Sequence, residues 1–218
     1  MVNSTVRRLY VSRNFSASQT RGIITEKPMR IGLYILGCDK NTVDAEYLAG
    51  LLEDSGCEVI AEPSPETEQD AAVVVTCGFI ADAKEQSLAQ IMQLAEQKEQ
   101  EGNPRRLFIM GCLAQRYAGD LRKALPQIDG IVGVGRLPQL RDMILGRTKA
   151  AYCVREMPRV SIRTPLPRKR LNSQPHSFLK IADGCNHKCT FCSIPLMKGG
   201  YVSVSPDILL AEAERLLK

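Results

Sequence analysis

A chain of 218 residues, 44% hydrophobic and 24% charged, has the balance of a globular protein, with length for one large domain or for one domain and part of another. It has no Trp and only 5% aromatic residues, too few rings for a base-stacking surface, and no apolar run reaches the roughly 18–20 residues of a membrane span. The net charge of +5 is local: residues 1–30 hold Arg7, Arg8, Arg13, Arg21, Lys27 and Arg30 against Glu26, and the other 188 residues carry 23 charges of each sign, so the body lacks a polyanion footprint.

Residues 1–29 are an Arg- and Ser-rich arm with no acid before Glu26. That composition suits an arm without fixed structure, and also an organellar transit peptide over residues 1–28. Met29 opens the first patterned segment. The arm is the reading adopted, with a cytoplasmic protein; the transit peptide would make it organellar.

From residue 30 to 150 short β-branched runs alternate with amphipathic stretches. Arg30–Leu36 predicts a strand, and Asn41 a cap for a helix carrying Val43, Tyr47, Leu48, Leu51 and Leu52 that ends at Gly56. Cys57–Ala61 is a short strand, residues 62–69 a Pro/Glu loop, and Ala71–Val75 an apolar run suited to a strand covered on both faces. A long helix over Ala81–Gln100, with Leu88, Ile91, Met92 and Ala95 as its inner stripe, stops at Gly102-Asn103-Pro104. A strand at Leu107–Met110, a helix at Gln115–Leu125, a strand at Ile128–Val132 and a helix at Leu137–Leu145 complete the pattern. Such alternation predicts an α/β fold built on a doubly wound parallel sheet.

Residues 151–176 read as a basic, Pro-containing linker, a solvated stretch with six basic residues against Glu156 between 155 and 170. Residues 177–218 follow as a separate segment, with a strand at Ser177–Ala182 and an amphipathic helix at Pro206–Leu217.

Eight cysteines allow disulfides by number, but no secretory leader precedes them and several have metal-binding spacing, so they are read as reduced. Directly after the last strand, Cys185, Cys189 and Cys192 form C-x₃-C-x₂-C. Three thiolates so spaced ligate three irons of a [4Fe–4S] cubane and leave the fourth open to a cofactor. Structural zinc wants four ligands, and His187 sits inside the loop, badly placed to be one of them. A second trio is scattered: Cys38, Cys77 and Cys112 each follow a predicted strand, and the carboxyl ends of parallel strands share one edge. Gly37, Gly78 and Gly111 beside them permit close backbone approach. Cys57 and Cys153 sit in strands and read as small core hydrophobes.

The cluster motif, with Phe191 before its third cysteine, resembles that of the radical S-adenosylmethionine superfamily. Leu36-Gly37-Cys38-Asp39-Lys40-Asn41, Thr76-Cys77-Gly78-Phe79-Ile80 and Met110-Gly111-Cys112-Leu113 are similar to the amino-terminal domain of the methylthiotransferases, specifically the RimO type that modifies a ribosomal protein. The resemblance runs from about residue 30 to the end. It implies two [4Fe–4S] clusters, held by Cys38, Cys77 and Cys112 and by Cys185, Cys189 and Cys192, with S-adenosyl-L-methionine on the second and Phe191 near its adenine. It implies methylthiolation of the β-carbon of an aspartate in a small-subunit ribosomal protein, an external electron donor and a sulfur donor. It also makes residues 177–218 the first βα unit of a truncated radical barrel.

Two further readings stay open: a tRNA methylthiotransferase of the MiaB type, for which nucleic acid would be the partner, and a cluster-binding protein without catalysis. Asp39-Lys40 and Gly78-Phe79-Ile80 depart from the tRNA branch. After Cys192, Lys198-Gly199 stands where the family usually has Arg-Gly, and Ser203-Val204-Ser205 lacks the usual Ser-Arg.

Overall fold

In a computed structural model of the protein, residues 27–154, 166–171 and 175–217 are described. The arm up to residue 26 and linker residues 155–165 and 172–174 lie outside the described residues. Six strands, β1 (Arg30–Ile35), β2 (Glu58–Ala61), β3 (Ala71–Thr76), β4 (Leu107–Gly111), β5 (Gly130–Val132) and β6 (Tyr152–Cys153), form one sheet in the order β2-β1-β3-β4-β5-β6. Every pairing in it is parallel. Helices α1 (Asp39–Glu53) and α4 (Leu137–Ile144) cover one face, and α2 (Ala81–Glu101) and α3 (Cys112–Ala124) the other. The doubly wound sheet expected from the alternation is the one observed.

The physical reason is plainest in β3. Its six residues, AAVVVT, are all buried, because it has a strand on either side and a helix layer on either face. Alternate residues divide between the layers: Val73 and Val75 join α1 and α4, while Ala72 and Val74 join α2 and α3. Among the described residues no helix is long and apolar enough to cross a membrane.

Several expectations need correction. Asn41 is not a cap: α1 begins two residues earlier, behind Cys38, and Asn41 is buried within its first turn. Its side-chain amide donates instead to Leu36 O (2.6 Å) and Thr76 O (3.2 Å), tying the carboxyl ends of β1 and β3 together. Helix α3 starts at Cys112, not Gln115, because Gly111, at φ 105°, turns the chain straight from strand into helix. In α2 the buried stripe is Ser87, Ile91, Leu94 and Ala95, whereas Met92 is 59% exposed. The inward face is set by Ile91 and Leu94, three residues apart, and Met92 falls outside that arc.

Nor is the linker simply solvated. Arg168, with 4% side-chain exposure, bridges Glu46 of α1 and Glu212 of α6 (Pro206–Leu216), and donates to Phe178 O at 2.8 Å. Residues 166–171 lie across α1, which explains why that helix is buried on two sides. Gly50 permits the crossing: a Cβ there would stand 2.5 Å from both the carbonyl carbon and oxygen of Pro167. Helix propensity alone predicts that Gly50→Ala gains up to about 1 kcal/mol. The clash is with backbone, which cannot rotate away, and overpacking of this kind costs about 1–3 kcal/mol. A lowered urea midpoint for Gly50→Ala is therefore expected, and a raised one would place the crossing elsewhere.

The predicted strand at Ser177–Ala182 is mostly absent. Only β7 (Ala182–Asp183) forms a ladder, antiparallel to β8 (Val202–Ser203), because no other strand of the described residues runs beside 177–181. Leu179 and Ile181 face outward, and the buried residue between them is Lys180.

Candidate metal centre

The strand order does for Cys38, Cys77 and Cys112 what their sequence separation does not. Each follows a strand, and those strands, β1, β3 and β4, are immediate neighbours in the sheet. The strand order reverses between β1 and β3, the point where open parallel sheets bind ligands beyond their carboxyl ends.

Local contacts then fix each cysteine. Gly37, at φ 98°, brings the backbone so close that a Cβ there would stand 2.6 Å from Cys77 Cβ. Cys77 N donates to Ser87 Oγ (3.1 Å), which itself donates to Ala83 O (2.8 Å). Thr76 Oγ1 donates to Met110 O at 2.6 Å, holding the ends of β3 and β4 in register beside Cys112. Asn41, Thr76 and Ser87 are thus positioning residues that sequence reasoning did not identify. Asn41 and Thr76 were visible as polar residues next to cysteines at strand ends; Ser87, ten residues from Cys77 in the chain, left no such trace.

All eight cysteines are free of disulfides. Burial pushes the Cys112 thiol up to about 11; Lys198 opposes the rise, and Cys38 and Cys77 add to it, so the three thiols lie within one another's electrostatic reach. Cys38 is exposed, whereas Cys77 and Cys112 are buried. Among the described residues no three His, Cys, Asp or Glu side chains converge as a single ion requires. A cubane makes a different demand, one thiolate on each of three irons of a larger body. Three reduced cysteines with bare glycine backbone between them suit that donor set.

The second trio lies on a loop held at its base. Gly184, at φ 75°, leaves no room for a side chain, since a Cβ there would stand 2.1 Å from Gly200 O. Cys185 N donates to Gly199 O (3.1 Å), Cys192 N to Cys189 O (3.2 Å), and Asn186 Oδ1 accepts from Tyr201 N (2.9 Å). Cys189 is exposed, Cys185 and Cys192 are half-buried, and Phe191 is 92% exposed. Helix α5 (Ile194–Lys198) carries the chain from Cys192 back to the first trio, where buried Met197 packs with Cys112 and Val134. The two trios therefore share one end of the molecule.

Between them lies a cluster of charge that the sequence reading also missed. Lys180 Nζ stands 2.8 Å from Asp44 Oδ1 and 2.8 Å from Asp183 Oδ2, the latter a contact of charge without hydrogen-bond direction. Lys198 reaches the same two carboxylates at 3.8 and 3.6 Å, and Lys40 reaches Asp183 Oδ1 at 3.5 Å. For Asp183, burial alone would raise the pKa, but the lysines outweigh it and hold the carboxyl below its ordinary range. The available signal was Lys180 and Asp183 inside an otherwise apolar run, three residues apart.

Accessibility orders the reactivity of the thiols in metal-free protein. Brief alkylation with iodoacetamide is expected to label Cys38 and Cys189 first and Cys57, Cys77 and Cys112 last, read by peptide mass spectrometry. Rapid labelling of Cys112 would contradict the packing around it.

Comparison with known proteins gives a consistent result. The family model UPF0004, described as an uncharacterized protein family, matches residues 30–133, which covers β1 to just past β5. Curated relatives carry the name ribosomal protein uS12 methylthiotransferase RimO. That of Trichlorobacter lovleyi is 38% identical over 193 residues, 87% of this chain and 42% of the relative. That of Desulforudis audaxviator is 41% identical over 189 residues, 86% and 41%. That of Thermotoga maritima is 38% identical over 192 residues, 87% and 42%. The chain spans about two fifths of the length of these relatives.

Proposed function

We propose that the chain, which is similar over most of its length to RimO-type methylthiotransferases, is the cluster-bearing part of a cytoplasmic enzyme that adds a methylthio group to the β-carbon of an aspartate in a small-subunit ribosomal protein. The observation that carries this reading is the delivery of Cys38, Cys77 and Cys112 to three adjacent strand ends, with the loop of Cys185, Cys189 and Cys192 packed beside them through α5. The ribosomal substrate rests on the name shared by the relatives, which specifies protein uS12.

In this reading Cys38, Cys77 and Cys112 hold one [4Fe–4S] cluster and Cys185, Cys189 and Cys192 the other, each leaving one iron without a protein ligand. When bound, the clusters and S-adenosyl-L-methionine supply one-electron cleavage and the sulfur to be transferred, fed by an external electron donor and a sulfur donor. The chain's own residues hold and shield. Asn41, Thr76 and Ser87 fix the strand ends that present the first trio, Gly184 and Asn186 fold the second loop, and exposed Phe191 offers its ring to the adenine.

Anaerobic reconstitution with iron and sulfide should load about eight irons per chain, four for each cluster. Replacing Cys185, Cys189 and Cys192 together with Ala should halve the iron and leave the remaining spectrum intact; stoichiometric zinc with negligible sulfide would sink the reading. Cells lacking the gene should also lose the methylthio mass on the aspartate peptide of the small-subunit protein. Unchanged modification would separate cluster binding from this substrate.

A further inference from the structure

The charges between the two cysteine trios do not balance. Three ammonium groups, on Lys40, Lys180 and Lys198, meet two carboxylates, on Asp44 and Asp183. Lys180 takes the close contacts with both carboxylates, at 2.8 Å. Lys40 is half exposed, and its ammonium donates to Ala182 O at 3.1 Å. Lys198 is the cation left over. Its side chain is 8% exposed, its nearest carboxylate oxygens are 3.6 and 3.8 Å away, and no hydrogen bond of its ammonium is formed among the described residues. A buried ammonium without close partners is strongly disfavoured unless an anion is nearby.

Position identifies that anion. Lys198 ends α5, whose buried Met197 packs against Cys112. An oxidised [4Fe–4S] core with three thiolates carries one net negative charge, and the reduced form carries two. The unbalanced cation and the cluster's charge are complementary in sign, and the match improves on reduction.

We propose that Lys198 is the counter-charge for the cluster held by Cys38, Cys77 and Cys112, a positioning residue on α5 that favours the reduced cluster. This rests on the reading above, in which that trio binds a cluster. The point charge of an ammonium suits a diffuse cluster charge.

The test uses the reconstituted chain with Cys185, Cys189 and Cys192 replaced by Ala, so that only the first cluster is loaded. Its midpoint potential is measured by a redox titration followed by electron paramagnetic resonance, with Lys198 intact, as Lys198→Met and as Lys198→Arg. At equal iron content Lys198→Met should lower the potential, because the extra electron loses its counter-charge, and Lys198→Arg should return it towards the parent. Equal potentials in all three would overturn the proposal. Should Lys198→Met lose its iron, urea unfolding of the metal-free proteins decides. An unchanged unfolding midpoint upholds the role, and a lowered one makes Lys198 a packing residue and overturns it. If the parent itself binds no iron, the cluster reading has failed, a result distinct from either of these.

Discussion

Arg168→Met should destabilise the protein by about 3–5 kcal/mol, the usual cost of removing one partner from a buried ion pair. Arg168 sits between Glu46 and Glu212, with both nitrogen–oxygen contacts at 2.5 Å and all three side chains buried. Tyr47 OH donates to Glu212 Oε2, and the guanidinium lies over the Tyr47 ring at 5.5 Å. Methionine restores the volume but leaves two carboxylates without a cation, so the loss measured by urea unfolding should exceed anything packing explains. Adding Glu46→Gln and Glu212→Gln to Arg168→Met removes the stranded charges and should recover most of the stability. If Arg168→Met alone stays within about 1 kcal/mol of the parent, the network contributes no more than a surface pair. The expected local consequence is release of α6 from α1, visible as faster proteolysis near residues 166–171 before the sheet unfolds.

That network marks the boundary of what the sequence made legible. Strands β1, β3 and β4 and the long helix α2 were readable because their apolar runs have the right length and end in Gly or Pro signals. The first trio was readable from position at strand ends, since parallel topology sends all those ends to one edge. The strand order that makes β1, β3 and β4 neighbours was not readable, because pairing is a tertiary choice that leaves little local pattern. Charges misled in the same way. Arg168 stands in a run of basic residues and Pro, a pattern shared with solvated linkers, and only the carboxylates of α1 and α6, 122 and 44 residues away, show that it is buried. Asn41 has a good capping residue type, but Cys38 had already opened the helix, and the amide found carbonyls on two strands instead. The Ser177–Ala182 run had strand-like residues and no strand beside it, so propensity went unrealised.

Asp183→Asn should cost about 3–5 kcal/mol at neutral pH, and that cost should vanish in acid. Asp183 is buried beside Lys180 and Lys198 and serves both, so amidation leaves two buried ammonium groups facing Asp44 alone. The sign of the pH effect follows from the direction of the shift. Burial raises the Asp183 pKa, the lysines more than offset it, and the folded value lies below the ordinary 3.8. A group with a depressed folded pKa contributes stability above its unfolded value, and loses that contribution as pH falls through the folded one. Lys180 works in the opposite sense. Burial lowers its pKa, Asp44 and Asp183 outweigh that and raise it above 10.5, and its contribution fades only as pH climbs through the higher value. Between the two limits the network holds fully, so the stability gap between parent and Asp183→Asn should be flat from pH 5 to 8, within the window those two values bracket. Below pH 3.8 the parent's stability should drop towards that of the variant, as its own carboxylate takes up the proton that amidation mimics. Urea unfolding of both proteins at a series of pH values isolates this one group, because every other carboxyl titrates in both. A gap that does not shrink at all as pH falls below 3.8 would mean that the Asp183 carboxylate is not what the gap measures. A gap absent at pH 7 would mean that the buried charges between the two cysteine trios do not hold the segment from β7 onward to α1.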